Sequence, residues 1–171
     1  MTSTRTIQTV DSILLSEYIL QTGGGMAHLK LQKLLYYIQA LHLAYFEHEI
    51  IDDDFEAWLH GPVSRKVYDR VKGLSVLYNE ILFDPTEWNN GNTPDVLIEA
   101  TLTSDQKELV DEVIENYGKF TPSQLETLSH SEAPWIDARK GYGVADKCSV
   151  IIPKEVMREY YKQQLYGSKT N

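Results

Sequence analysis

The segment from His28 to Glu47 constrains this chain most, because its apolar residues cover most of the circumference of a helix. They recur at helical spacing and form a broad stripe: Leu31, Leu34, Leu35, Ile38, Leu41 and Tyr45, widened by Tyr37, Leu43 and Phe46. A helix that is apolar nearly all round is stable in water only when other elements surround it. The sequence therefore predicts a central helix over residues 28–47.

Polar and aromatic residues on this predicted helix give two further expectations. Lys30 and Lys33 lie in its first turn, where the positive end of the helix dipole disfavours cations, and this hints at an acidic neighbour. The simpler interpretation places both lysines on a solvated face of the helix. Tyr36 and Tyr37 are adjacent in sequence, so we expect only one of the two rings to face the core fully.

Apolar periodicity predicts further helices on both sides of the central one. A helix that begins near Thr9 is expected to end at the three glycines 23–25, which are too flexible to continue it. Pro62 is predicted at the first turn of another helix, because proline suits that position. The buried stripe of this helix consists of apolar residues at helical spacing: Val63, Val67, Val71 and Leu74.

Capping signals place later helices, and apolar runs suggest short strands. Thr103 and Thr121 each begin a capping box, with a glutamine three residues further on. Short strands, or one small hairpin, are predicted near 96–101 and 149–152, while residues 55–59 are left as a helix turn or an extended segment. The fold class predicted is mostly α: a compact single-domain bundle of about six to eight helices.

The length of 171 residues fits one domain with a core of its own. We expect a flexible N-terminus at 1–8, a domain over 9–165 and a flexible tail at 166–171. Cys148 is the sole cysteine, which excludes an internal disulfide and fits a reducing compartment. The sequence shows neither a signal-peptide core nor the roughly 20 apolar residues that span a bilayer, so a cytoplasmic protein is expected.

The balance of charges disfavours one class of partner. The net charge is −9, and a surface this acidic repels phosphates, so we expect no binding to nucleic acid. It favours a basic partner if a macromolecular partner exists. The commoner explanation is that the negative charge keeps the protein in solution.

Motifs that carry chemistry are absent from the sequence. It contains no GxGxxG, P-loop, HExxH or GxSxG pattern. His60 and His130 each adjoin a break between elements and could meet in space, but two histidines without cysteines or paired carboxylates are weak evidence for a metal. We predict no catalytic residue, no metal and no cofactor, and therefore a protein that is not an enzyme. A hydrolase that uses these two histidines with an acidic partner stays as the alternative.

Several sequence blocks carry a resemblance to a known family. They are KLQKLLYY at 30–37, EAW at 56–58, HGPV at 60–63, and SH at 129–130 followed by PW at 134–135. On these blocks the chain resembles the Panacea antitoxin domain, the SocA-like family of bacterial and phage proteins, and the resemblance covers about residues 9–165. The resemblance implies a mostly α-helical antitoxin that neutralises a toxin encoded by an adjacent gene, commonly by direct binding.

The resemblance also implies alternatives and limits. One type of relative resembles a proteolytic adaptor that delivers its toxin to ClpXP, with ClpX as a partner, and a phage-encoded anti-defence binding protein would use the same chemistry. Many relatives carry an added DNA-binding helix-turn-helix, for which we see no room beyond the matched domain. Host or prophage origin, and assembly into a homo-oligomer, stay open.

The candidate partner-binding residues come from the matched blocks and from the supply of aromatic side chains. Tyrosine and tryptophan bury a large area while keeping a polar group, and they dominate protein interfaces. An aromatic, acidic surface is what a partner-binding module would present. We expect seven residues to cluster, with their exposure to a partner or to the core left open and the core favoured for both tryptophans: Tyr37, Trp58, His60, Arg65, Tyr68, His130 and Trp135.

Overall fold

The computed structural model describes residues 6–74, 79–88 and 91–167. Helices occupy most of these ranges: α1 (Ser12–Gly23), α2 (His28–Phe46), α3 (Arg65–Val71), α4 (Pro94–Thr101), α5 (Ser104–Tyr117), α6 (Pro122–His130), α7 (Ala133–Ala138) and α8 (Lys154–Tyr166). The strands are short: β1 (Met26–Ala27), β2 (Phe55–Trp58), β3 (Gly61–Val63), β4 (Glu80–Ile81) and β5 (Ile151–Ile152), and a 3₁₀ turn covers Pro85–Glu87. The predicted mostly α, compact single-domain fold is confirmed.

The predicted flexible segments at 1–8 and 166–171 fall mostly outside the described residues, and these domain limits stay predictions. Among the described helices, none combines the length and the apolar character that a segment crossing a bilayer requires.

Helix α2 lies at the centre of the molecule, as its apolar circumference predicts. Helices α1, α5, α6 and α8 all pack against it, and every residue from Leu31 to Ala40 is buried. Both Tyr36 and Tyr37 are fully buried, so the expectation that only one ring faces the core is wrong. The reason is that neighbours cover α2 on several sides, and each hydroxyl has a hydrogen-bond partner: Tyr161 for Tyr36 and Glu132 for Tyr37.

A three-stranded antiparallel sheet in the order β3–β2–β5 lies beside α2. Residues 55–59, left open by the sequence, therefore begin as a strand. Residues 61–63 form a strand as well, so the prediction that Pro62 opens a helix is wrong. Pro62 lies opposite Ala57 in the β2–β3 pair. The N–H of Ala57 donates to Val150 O, on the side away from β3, so this pair is not hydrogen-bonded across the hairpin. The missing N–H of Pro62 therefore costs the hairpin no hydrogen bond.

Helix α3 begins later than predicted and is shorter. Ser64 caps it by accepting a hydrogen bond from the N–H of Val67 at 3.2 Å. Val67 and Val71 are buried as expected, but α3 ends at Val71, and Leu74 is 56% exposed instead of belonging to the buried stripe.

The predicted strand near 96–101 is also wrong, because these residues belong to helix α4. Pro94 opens its first turn, and Ile98 is fully buried. Helix α4 packs against α1, and this packing fixes a segment whose short apolar run suits a strand and a helix equally. The strand predicted near 149–152 is confirmed as Ile151–Ile152.

Both predicted capping boxes are present. Thr103 accepts from the N–H of Gln106, whose side chain returns a bond to the N–H of Thr103, and Thr121 and Gln124 do the same at the start of α6. These reciprocal bonds fix where α5 and α6 begin. The start of α6 in turn sets the positions of Glu126 and His130 further along that helix.

Candidate functional site

The β2–β3 hairpin gathers six of the seven candidate residues into two neighbouring groups. The first is called the Trp58 cluster and consists of Trp58, Arg65 and Tyr68, together with Glu56, His28 and Lys72. The second is called the His60 cluster and consists of His60, His130 and Trp135, together with Glu126 and Lys33. One hydrogen bond joins them directly: the indole N–H of Trp135 donates to the backbone oxygen of Trp58 at 2.8 Å.

Glu56 on strand β2 organises the Trp58 cluster. It accepts two hydrogen bonds from Arg65, at 2.9 and 2.8 Å, and one from the indole N–H of Trp58 at 3.0 Å. The guanidinium of Arg65 lies 5.2 Å from the centre of the Trp58 ring, in reach of a cation–π interaction. Hydrogen bonds from Arg65 lower the pKa of Glu56, so its carboxylate stays charged and keeps both side chains in place.

Tyr68 extends the Trp58 cluster along helix α3. Its ring meets Trp58 edge to face, with the ring centres 4.8 Å apart, and stacks on His28 at 5.4 Å. Burial lowers the pKa of His28 to about 4, so this imidazole is neutral near pH 7. Lys72 places its ammonium 5.9 Å from the Tyr68 ring. Trp58 is thus partly exposed instead of lying in the core, where the sequence favoured it, and Arg65 and Lys72 make this surface less acidic than expected.

The His60 cluster confirms that His60 and His130 meet in space, with Glu126 of helix α6 between them. His60 Nδ1 lies 2.8 Å from Glu126 Oε1, and His130 Nε2 lies 4.0 Å from the same oxygen. The His130 ring stacks on Trp135 with centres 3.9 Å apart, and burial lowers the pKa of His130. Within the described ranges, no group of three or more His, Cys, Asp or Glu side chains is placed to hold a metal ion.

Lys33 belongs to this cluster, and the sequence misplaces it. It is fully buried below the hairpin instead of lying on a solvated face, and its Nζ donates to the backbone oxygen of Pro62 at 3.1 Å. Burial lowers the pKa of Lys33 to about 7, and the nearby carboxylate of Glu126 partly opposes this shift. The acidic neighbour that its position in the first turn suggests is therefore present. Lys30 instead donates to the backbone oxygen of Gly118 at 2.6 Å.

Gly61 is required where the hairpin crosses Lys33. Its φ of +111° lies in a region that side chains disfavour, and an added Cβ would come within 2.3 Å of Lys33 Cε and 2.9 Å of Ser129 Oγ. The HGPV block thus combines a histidine, a glycine that admits the buried lysine, and a proline whose oxygen accepts from it. This explains in physical terms why these residue types stand together.

Arg139 is a further residue that the candidate set omits. It is 5% exposed, and its guanidinium lies 5.0 Å from the centre of the Trp135 ring. It donates to the backbone oxygens of Ala57 at 2.8 Å and Asp146 at 2.6 Å. Arg139 thereby ties the loop before β5 to strand β2. The sequence signal for it is weak, because a basic residue at a helix end is usually solvated.

Tyr37 is the candidate residue that lies apart from both clusters. Its hydroxyl donates to Glu132 Oε1 at 2.5 Å, and the hydroxyl of Tyr161 donates to the same oxygen at 2.9 Å. Burial raises the pKa of Glu132. The Tyr37 side chain is fully buried in this network and presents no surface to a partner.

Comparison with known proteins gives two matches. A family model described as antitoxin SocA-like, Panacea domain, matches residues 31–136, more than half of the chain and a range that includes most of both clusters. The chain is also 25% identical over 162 residues to antitoxin SocA of Caulobacter vibrioides (strain NA1000 / CB15N), an alignment that covers 92% of this chain and 85% of that protein. No solved structure matches.

Proposed function

Because this chain belongs to the SocA-like antitoxin family with a Panacea domain, we propose that it neutralises a cognate toxin by direct protein–protein binding. Family membership supports an antitoxin role and a toxin partner in general, and it suggests a protein that is not an enzyme. The specific proposal adds that the partner is the product of an adjacent gene. It also adds that the bound antitoxin covers the surface through which the toxin acts.

The Trp58 cluster is the surface that we assign to this contact, and its geometry carries the proposal. Tryptophan, tyrosine and arginine are the residues most enriched in interface hot spots. Here Trp58 and Tyr68 are partly exposed, Arg65 is exposed, and Glu56 already holds two of the three in position. Side chains that are ordered before binding lose little conformational entropy when a partner arrives. The cluster is therefore a preformed anchor on a rigid hairpin.

Electrostatics supports a basic partner surface around this anchor. The chain carries a net charge of −9, so its long-range field attracts a positively charged toxin and accelerates the encounter. Contacts at the Trp58 cluster then decide how slowly the complex dissociates. We expect the association rate to fall with added salt while the dissociation rate changes much less.

Coexpression with the adjacent gene tests the proposal. The wild-type chain should restore growth of cells that express the toxin, and the two proteins should copurify. Trp58→Ala should abolish both effects, since truncation of a central interface tryptophan costs about 2 kcal/mol or more of binding free energy, at least about thirtyfold in Kd. The matched control is Tyr45→Ala, which removes an exposed aromatic ring that packs on Tyr166 of α8.

The control should rescue growth like the wild type. Binding that survives Trp58→Ala would show that the toxin contacts another surface. Rescue without a stable complex would indicate delivery to a protease such as ClpXP, and a shortened toxin half-life in cells would identify that mechanism. Circular dichroism melting of each variant separates loss of contact from loss of fold.

A further inference from the structure

The two edges of the β3–β2–β5 sheet differ in how their backbone groups are satisfied. At the β3 edge, side chains of α2 take the place of a further strand. Gln32 accepts from the N–H of Ser64 at 2.9 Å and donates to its oxygen at 3.1 Å, while Lys33 donates to Pro62 O. All these groups are buried, so this edge is closed to any partner.

At the β5 edge, the register directs backbone groups outward. The N–H of Ala57 donates to Val150 O at 2.8 Å, which makes these two residues a hydrogen-bonded pair. Pairs alternate along an antiparallel ladder, so Glu56 and Ile151, the next pair, are not hydrogen-bonded to each other. The N–H and C=O of Ile151 therefore point away from β2, and no described residue hydrogen bonds to them.

Exposed apolar side chains lie on this strand and on the part of the chain that leads to it. Ile151 is 49% exposed and Val150 is 37% exposed. Ile136 is exposed on α7, which packs against β5, and Tyr142 and Val144 are exposed in the loop between α7 and β5. Arg139 fixes the preceding loop through its bonds to Ala57, Gly143 and Asp146, so the edge is held in place. An ordered, apolar strand edge with free backbone groups is a template for pairing with another chain.

We infer that the toxin adds an extended, apolar segment to the outer edge of β5 and so extends the sheet by one strand. This inference rests on the proposed function and specifies how the same partner is held. Ile151 and Glu56 are opposed, so their side chains lie on one face of the sheet, and Glu56 is the residue that organises the Trp58 cluster. The added strand would therefore continue directly into that anchor.

The charge of the chain favours the toxin over a second copy as the occupant of this edge. Two copies that met edge to edge would each bring a net charge of −9, and this repulsion opposes self-pairing. Pro153 also has no N–H to offer, which limits the edge to Ile151 and the residues before it. A short edge of this kind suits one extended segment anchored elsewhere by side chains.

Two substitutions at one position test the inference with the purified product of the adjacent toxin gene. Ile151→Pro removes the outward N–H without removing a hydrogen bond within the chain, and proline is tolerated at such edge positions. It should weaken toxin binding at least about tenfold by titration calorimetry, since a backbone hydrogen bond is lost and the ring blocks the incoming strand. The matched control, Ile151→Thr, keeps the N–H and should bind more tightly than the proline variant.

Amide hydrogen exchange on the wild-type protein gives a second measurement, which does not depend on how the proline variant folds. The Ile151 amide should exchange readily in the free protein and at least about tenfold more slowly in the complex. Unchanged exchange, or proline and threonine variants that bind alike, would overturn the inference. If Trp58→Ala still abolished neutralisation in that case, the proposed function would stand.

Other outcomes separate the two proposals further. A wild-type chain that fails to bind the toxin would remove the proposed function and this inference with it. A free wild-type protein that is dimeric in sedimentation, and that Ile151→Pro converts to a monomer, would assign the edge to a second copy and overturn the toxin strand.

Discussion

The two clusters beside the β2–β3 hairpin use similar residue types for opposite purposes. In the His60 cluster, Lys33 is fully buried and Trp135 is 9% exposed, while the His60 side chain, which pairs with Glu126, reaches the solvent and is 43% exposed. In the Trp58 cluster, the carboxylate of Glu56 orders Trp58 and Arg65, Tyr68 packs on the Trp58 ring, and all three side chains remain at least partly open to solvent. A histidine, an aromatic ring and a cation therefore support the fold in one place and form a surface in the other.

The comparison shows that a family sequence block need not be a functional site throughout. The HGPV residues are explained by Lys33, because Gly61 admits the buried side chain and Pro62 accepts its hydrogen bond. Among the described residues, Arg65 contacts Glu56 and the Trp58 ring, and Tyr68 packs on the rings of Trp58 and His28, all at or near the surface. Substitutions in the His60 cluster should therefore change stability first, and substitutions in the Trp58 cluster should change binding first.

Gly61→Ala should have the largest effect on stability. The new Cβ meets Lys33 Cε at 2.3 Å, and the φ of +111° is strained for any side chain. Backbone strain and overpacking together should lower the free energy of unfolding by about 3 to 5 kcal/mol. Urea denaturation followed by circular dichroism measures this loss.

Substitutions at two other glycines separate the cost of backbone strain from the cost of the contact with Lys33. Gly141 has a φ of +91° but open space where an added methyl group would lie, so Gly141→Ala should cost only the backbone strain, about 1 to 2 kcal/mol. Gly73 has neither a positive φ nor a close neighbour, and Gly73→Ala should change stability by no more than about 0.5 kcal/mol. Equal losses at all three positions would contradict the role of Lys33 below the hairpin.

Lys33 should also make stability depend on pH. Its pKa is about 7 in the folded protein, against an ordinary value of 10.5, so the unfolded chain binds more protons between these two values. Stability should therefore rise with pH above about 7, by at most about 1.4 kcal/mol per pH unit. Below pH 7 the amine is protonated in both states, so the full cost of burying its charge is present and the slope vanishes. Denaturation at pH 7 to 9.5 measures the slope before tyrosines in the unfolded chain begin to ionise.

Lys33→Met is the matched variant, since it keeps most of the buried volume without a titratable group. The rise in stability with pH should disappear in this variant. Pro62 O would lose its donor, at a cost of about 1 to 3 kcal/mol that is offset by removal of the buried amine. A slope that is identical in the two proteins would assign the pH dependence to other groups.

The sequence predicted the helices well because their signals are local. The capping boxes at Thr103 and Thr121 are both present, and so is the stripe on α2 except at its end, where Tyr45 is 49% exposed. The errors lie where distant partners decide the outcome. Strand β3 depends on pairing with β2, and helix α4 on packing against α1, so neither is fixed by its own residues.

The candidate site shows the same division. Trp58, Arg65 and Tyr68 were predicted to cluster because they lie in or beside the matched blocks, and they do so in the structure within one continuous stretch of chain. The burial of Lys33 and the role of Arg139 depend on elements far away along the chain, and both side chains look solvated from their own neighbours. Buried cations of this kind are rare, so a sequence-based assignment to the surface is the natural error.

Arg65→Lys should have the smallest effect on stability and sharpens the comparison most. Lysine keeps the charge but loses the two parallel hydrogen bonds to Glu56 and the planar contact with Trp58. Because Arg65 is exposed, stability should change by no more than about 0.5 kcal/mol. Toxin binding should nevertheless weaken, by about three- to tenfold, because Trp58 is no longer held in position before contact. Calorimetric titration and thermal melting on the same samples measure both quantities. A large loss of stability with unchanged binding would place Arg65 with the structural residues of the His60 cluster, and the contrast between the two clusters would fail.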